Sequence, residues 1–156
     1  MKIRKANEAD VATIIELMRD FAEYEKLLDY FEASADKLFD AMFGERSFVQ
    51  GLIAEKESEA IGYAIFYPNY ATFRGQRGVY LEDIYISPSY QGQGIGEAMI
   101  RHIATIAKEQ GCERIDFQVL EWNMPAIGFY ERLGAVRNET ERHFKFTDAA
   151  FEKLAS

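Results

Sequence analysis

The chain has 156 residues, with 18 Lys and Arg against 26 Asp and Glu for a net charge of −8; 48% of residues are hydrophobic and 28% charged. That size and balance fit one soluble domain, read as residues 1–156, and no stretch approaches the roughly 20 apolar residues that span a membrane. The acid excess argues against nucleic acid, which needs clustered Lys and Arg, and suits a cationic partner, although solubility alone also accounts for it.

In chain order, "KIRKA" reads as an opening strand, and "MKIRKANEAD" lacks the apolar core of a secretory signal. Val11, Ile14, Ile15, Met18, Phe21 and Ala22 then form one helical stripe. A second helix starts at the N-cap Ser34 with Asp36 in its first turn, and ends at Gly44. "FVQGLIAEKESEAIGYAIFYP" is a β-hairpin turning at "EKESE", and "GVYLEDIYI" (78–86) is the next strand, reached through the loop "NYATFRGQR". After a glycine-rich segment, Ile95, Met99, Ile100, Ile103, Ile106 and Ala107 repeat at helical spacing until Gly111. "CERIDFQVL" is again a strand, and "NMPAIGFYERLG" a short helix with Asn123 as N-cap, Pro125 in its first turn and Gly134 beyond its end. "RHFKFT" reads as a last strand and the tail as a short helix. The expected architecture is α/β (α+β): a mixed, mostly antiparallel central sheet with flanking helices and one parallel β-α-β unit through residues 79–119.

Few residues suit metal or redox chemistry. Cys112 is the only cysteine, which excludes an internal disulfide and suits a reducing cytoplasm. His102 and His143 have no metal-ligand spacing, so no metal is expected.

The glycines of "QGQGIG" (Gly92, Gly94 and Gly96) lie between a strand end and a helix N-terminus. Amides there lack intrahelical partners, the dipole favours an anion, and missing Cβ atoms let phosphate oxygens approach. A plain turn is the bland alternative. A P-loop would need Gly-Lys-Ser/Thr where Gly96, Glu97 and Ala98 stand. A Rossmann fingerprint starting at Gly92 would need glycine at the position of Glu97, although Asp116, twenty residues past Gly96, sits where a ribose-binding acid belongs. The preceding hairpin and meander do not suit that fold.

Gln91-Gly92-Gln93-Gly94-Ile95-Gly96 after "VYLEDIYISP" resembles the coenzyme A-binding segment of the GNAT superfamily of N-acetyltransferases. "EWNMPAIGFYERLGA", about 30 residues on, resembles that superfamily's second signature. "FAEYEK", "YLEDIYISPSYQGQGIG" and "EWNMPAIGFY" narrow the resemblance to the diamine (spermidine/spermine) N-acetyltransferase group, with its thialysine-acetylating relatives. The resemblance implies acetyl-CoA as cosubstrate, direct transfer to a primary amine of a small cationic or zwitterionic substrate, and a cytoplasmic homodimer. It implies that backbone of Ile84, Tyr85 and Ile86 pairs with the pantetheine arm. Gln91, Gly92, Gln93, Gly94, Ile95, Gly96 and Glu97 would hold the pyrophosphate, and Asn123 and Pro125 would contact the cofactor. Tyr130 would be general acid and Glu82 the catalytic carboxylate. Glu82 and Asp83, with Tyr24, Glu25, Asp116, Phe117 and Gln118, would bind the amine.

Those residue types suit the chemistry. A primary amine, with a pKa of about 10, must lose a proton before it attacks, and a carboxylate both attracts the cation and accepts the proton. Backbone N–H near Ile84 could stabilise the carbonyl oxygen, and a phenol can protonate the departing sulfur. Strand alternation puts neighbouring Glu82 and Asp83 on opposite faces, so one of them at most should face a given ligand. Alone, Tyr130 would pass for core packing and Tyr24–Glu25 for surface.

The sequence also departs from the group's pattern. "NYATFRGQRG" (69–78) has no acid for a distant ammonium, Gln91 replaces an arginine, and "RNETERHFKF" is unlike the group's ending. A non-catalytic acyl-CoA-binding module and a nucleotide-dependent oxidoreductase are the competing functions.

Overall fold

The computed structural model describes residues 1–156 and divides into two compact units, Met1–Gln118 and Val119–Ser156. The first unit carries strands β1 (Lys2–Lys5), β2 (Gln50–Lys56), β3 (Glu59–Ala71), β4 (Gln76–Ile86) and β5 (Arg114–Phe117), and helices α1 (Val11–Tyr24), α2 (Ala35–Phe43) and α3 (Ile95–Glu109). The strands form one sheet in the order β1-β2-β3-β4-β5. All pairs are antiparallel except β4–β5, which is parallel because α3 carries the chain back across the sheet.

Strand alternation splits the core into two layers. Leu52, Ala64, Phe66, Val79 and Leu81 pack against Met99, Ile103 and Ile106 of α3. Ile53, Tyr63, Ile65 and Tyr85 face the other way, onto Ile14 and Leu17 of α1 and Met42 of α2. Burying each large apolar side chain contributes on the order of 1.5–3 kcal/mol, so the two stripes fix which face of each strand meets which helix.

The helix signals act as expected, with local differences. Ser34 Oγ accepts from Lys37 N at 3.2 Å at the start of α2. The first helical stretch opens instead with a 3-10 turn at Glu8–Asp10, where Asn7 and Asp10 form a reciprocal cap. Arg4 pins that turn, donating to Asp10 at 2.7 and 2.8 Å and to Glu55. Strands β3 and β4 run further than their hydrophobic patterns, so the expected loop shrinks to residues 72–75, closed by Gly75 N donating to Thr72 O at 3.2 Å.

The second unit holds α4 (Met124–Arg132) and α5 (Asp148–Ala155). The tail helix is therefore present, but "RHFKFT" is not a strand. The alternation of Phe144 and Phe146 has no neighbouring strand to pair with, and a strand without ladder hydrogen bonds has nothing to hold it extended. No helix in the chain is long and apolar enough to cross a membrane.

Candidate active site

The decisive feature is a β-bulge in β4. Ile65 of β3 pairs with Asp83 while the next residue, Phe66, pairs with Leu81, so Glu82 is an inserted residue with no partner. A bulge cancels the two-residue alternation at one point. Glu82 and Asp83 consequently lie on the same face, the one covered by α1 and α2, and not on opposite faces as regular strand geometry requires. Their partners demonstrate it: Tyr63 OH donates to Asp83 Oδ2 at 3.0 Å and Tyr67 OH donates to Glu82 Oε2 at 2.8 Å. Tyr63 and Tyr67 are four residues apart on regular β3, hence on one face.

The two carboxylates sit in different environments. Asp83 is partly buried, whereas Glu82 is exposed. Burial pushes the Asp83 carboxyl up to about 6; the Tyr63 hydroxyl pulls it down, and the charge of Glu82 raises it. Glu25, at the C-terminal end of α1, is raised by burial and by the charge of Asp83. Phe21 stacks on Tyr85 at 5.2 Å, which holds that end of α1 over β4. Burial and the nearby carboxylate push the Tyr63 phenol far up, so it stays a donor. Three carboxylates thus share one face, a field that favours a cation.

Asp116 lies on this face too, since Ile115 and Phe117 pack against the α3-side core. It accepts from Arg114 at 2.8 and 2.7 Å and from Asn69 Nδ2 at 3.1 Å, and the guanidinium holds its carboxyl below the ordinary range. Asp116 is therefore a charge already paired within the sheet. Phe117 turns away from the acidic face, and Gln118 is exposed beyond the end of β5.

Beyond the bulge, β4 keeps its pairing with β3 but loses β5. Its pairing with β5 ends at Leu81↔Phe117, so no strand covers that edge of Glu82–Ile86. The chain then makes a 3-10 turn at Pro88–Tyr90 and reaches α3 through Gly92 (φ +75) and Gly94 (φ +78). A Cβ on either would meet nothing within 4 Å, so their backbone conformation, rather than crowding, calls for glycine. Gly94 is the N-cap of α3, leaving the amides of Ile95, Gly96 and Glu97 without intrahelical acceptors. Gln91 Nε2 donates to Ile86 O at 2.8 Å and ties the loop to the end of β4. Glu97 is ion-paired with Arg101 at 2.7 Å.

In the second unit, Asn123 is buried and caps α4, its Oδ1 accepting from Ala126 N at 3.4 Å. Pro125 follows in the first turn, where its missing N–H costs nothing. Tyr130 lies in the last turns of α4, with Phe129 edge-on to its ring at 5.1 Å.

The sequence singles out Glu82, Asp83 and Glu25, which the structure brings to one face, but not Tyr63 and Tyr67, the phenols that hold two of them. The available signal was two tyrosines at even spacing in the strand before "LEDIY". No group of three or more His, Cys, Asp and Glu is arranged to hold a metal ion.

The Acetyltransferase (GNAT) family matches residues 12–135, and the chain belongs to that family; it is an N-acetyltransferase. Thialysine N-epsilon-acetyltransferase from Bos taurus is 40% identical, covering 98% of this chain and 96% of its own length. Spermidine/spermine N(1)-acetyltransferase-like protein 1 from Homo sapiens is 33% identical over 90% of this chain and 21% of its own. Among solved structures, an integron cassette protein from V. cholerae superposes with a TM-score of 0.79 at 26% identity, covering 99% of this chain and 96% of its own. An aminoglycoside acetyltransferase from an uncultured soil metagenomic sample shares the fold at a TM-score of 0.78 and 21% identity, over 94% of this chain and 95% of its own.

Proposed function

We propose that the chain is a single-domain, acetyl-CoA-dependent enzyme that transfers acetyl directly, in a ternary complex, to a primary amine of a small substrate. An amino-acid-like amine of the thialysine type is the first candidate and a small polyamine the second. The observation that carries this reading is the bulge, which gives one amine two carboxylates, Glu82 and Asp83, with Glu25 in the same field.

The residues present fit coenzyme A. The edge of β4 at Ile84, Tyr85 and Ile86, unpaired with β5, would offer backbone groups to an extended amide-containing arm, with Gln91 already held by Ile86 O. The open, left-handed Gly92 and Gly94 leave the amides from Gly92 to Glu97 accessible to pyrophosphate. Gln91 and Gln93 would shape that loop, and Asn123 and Pro125 would add contacts from the start of α4. The bound cosubstrate supplies the electrophilic acetyl thioester.

The chain's own groups handle the protons. Exposed Glu82, with Tyr24 and Glu25, draws in the ammonium. A carboxyl near pKa 6 is a stronger base than an ordinary one, which favours Asp83 as proton acceptor beside Glu82. Tyr130 serves as proton donor to the departing sulfur. The N–H groups near Ile84 offer stabilisation to the carbonyl oxygen as charge develops on it.

For the acceptor, the turn at 72–75 and its flanks carry no acid, and Asn69 is engaged with Asp116. A substrate with a second, distant ammonium finds no partner there, which favours the shorter amino-acid-like amine. The free thiol of Cys112 suits a cytoplasmic setting, and a homodimer is part of the proposal, to be checked by sedimentation.

The test is a panel of spermidine, putrescine, lysine, thialysine and small amino acids with acetyl-CoA, read by thiol release and by mass of the acetylated amine. Thialysine-dependent release is expected. Release no faster than hydrolysis with every amine would overturn the proposal in favour of an acyl-CoA-binding module. Tyr130→Phe should lower kcat at least tenfold with coenzyme A affinity nearly unchanged, at the low end of general-acid effects.

A further inference from the structure

We propose that Tyr63 is a positioning residue for the reaction: its buried hydroxyl holds Asp83 aimed along the acidic face and in its charged form. The inference rests on the function proposed above.

Tyr63 is completely inaccessible, and its ring is locked in the layer formed with Ile14, Leu17 and Ile53. Its hydroxyl therefore cannot trade Asp83 for bulk water, and the 3.0 Å bond to Oδ2 fixes one carboxylate oxygen. The other oxygen remains for an incoming N–H. The groups facing Asp83 otherwise oppose its ionisation. Glu82 acts from β4 and Glu25 from the end of α1, and no cation is among the groups that set its charge state. Asp20 and Glu23 of α1 add negative charge around neighbouring Tyr85. Tyr63, on β3, is the group that favours the charged form.

Tyr63 differs in this from Tyr67, whose bond to Glu82 lies at the exposed edge of the same face. Water can replace the Tyr67 hydroxyl there. Inside the layer nothing can, so losing the Tyr63 oxygen leaves Asp83 short of a donor.

The test compares the unaltered chain with Tyr63→Phe, using an amine that the unaltered chain acetylates, over pH 5–9. The expected result is that the lower limb of kcat/KM for the amine moves up by about one pH unit, the size of one hydrogen bond to a carboxylate. Activity at pH 6 should fall about fivefold, approaching tenfold at pH 5, KM for acetyl-CoA should stay within about twofold, and the loss should shrink at high pH. A merely structural role would lower activity at every pH alike, and superimposable profiles would likewise overturn the proposal. A second measurement needs neither activity nor the variant: in tyrosine labelled with carbon-13 at Cζ, the Tyr63 signal of the unaltered chain should titrate with a midpoint near 6. A flat signal from pH 4.5 to 8 would overturn the inference. Titration without amine acetylation would overturn the function instead and leave Tyr63 as the group that sets the charge of Asp83.

Discussion

The glycine loop before α3 and the bulge in β4 belong to one stretch of chain, Glu82 to Gly94, but are built by opposite means. The loop's proposed role lies in its backbone: Gly92 and Gly94 adopt left-handed conformations with open space around them, which leaves the amides to the proposed pyrophosphate. The bulge acts through side chains, whose placement depends on one inserted residue and on two tyrosines from the neighbouring strand. Changes of conformation should therefore damage the loop, whereas changes of charge at constant shape should damage the bulge.

The largest effect at the loop should come from Gly94→Ala. A Cβ in the left-handed region costs about 1–2 kcal/mol, which should weaken coenzyme A binding roughly tenfold in calorimetry while KM for the amine stays nearly constant. Equal weakening of both ligands would break the separation between the two regions.

A moderate effect with a telling sign is expected from Asp83→Asn on stability. The folded-state carboxyl near 6 lies above its ordinary value, so between about pH 4 and 6 the folded chain binds more protons than the unfolded one. Stability therefore falls as pH rises through that window, and the loss is complete above it. The amide variant should be more stable than the parent at pH 7, by on the order of 1–2 kcal/mol, with no advantage at pH 4. Denaturant unfolding at both pH values reads this directly, and a variant less stable at pH 7 would count against a strained carboxylate.

The smallest effect belongs to Gln91→Ala, which removes the 2.8 Å bond to Ile86 O but none of the loop amides. A neutral hydrogen bond of about 1 kcal/mol implies at most about a fivefold change in coenzyme A affinity. A hundredfold loss would mean that Gln91 itself holds phosphate.

Much of this division was legible in the sequence. The apolar stripes predicted α1 and α3, and the glycines between strand and helix predicted the loop, because backbone conformations that exclude side chains leave a direct trace in composition. The pairing of Glu82 with Asp83 on one face was not legible. Strand periodicity assigns adjacent residues to opposite faces, and the bulge is a register event between two strands that neither strand announces alone. Tyr63 and Tyr67 went unnoticed for the same reason, since their value depends on which residues β4 sets against them. Asp116 illustrates the converse: its spacing from Gly96 suggested a ribose acid, but Arg114, two residues away on the same side of β5, already pairs it. "RHFKFT" had strand alternation without a partner, and no composition signal reports the presence of a partner.

A double-mutant cycle reads out whether the bulge brings both carboxylates to one amine. Glu82→Gln, Asp83→Asn and the double variant are compared by kcat/KM for the amine that the parent acetylates. Both single variants should lose activity, Asp83→Asn by about a hundredfold, and the double variant should lose less than the product because the two charges act on one cation. Full activity in Glu82→Gln, or losses that simply multiply, would mean that the two carboxylates do not share a substrate.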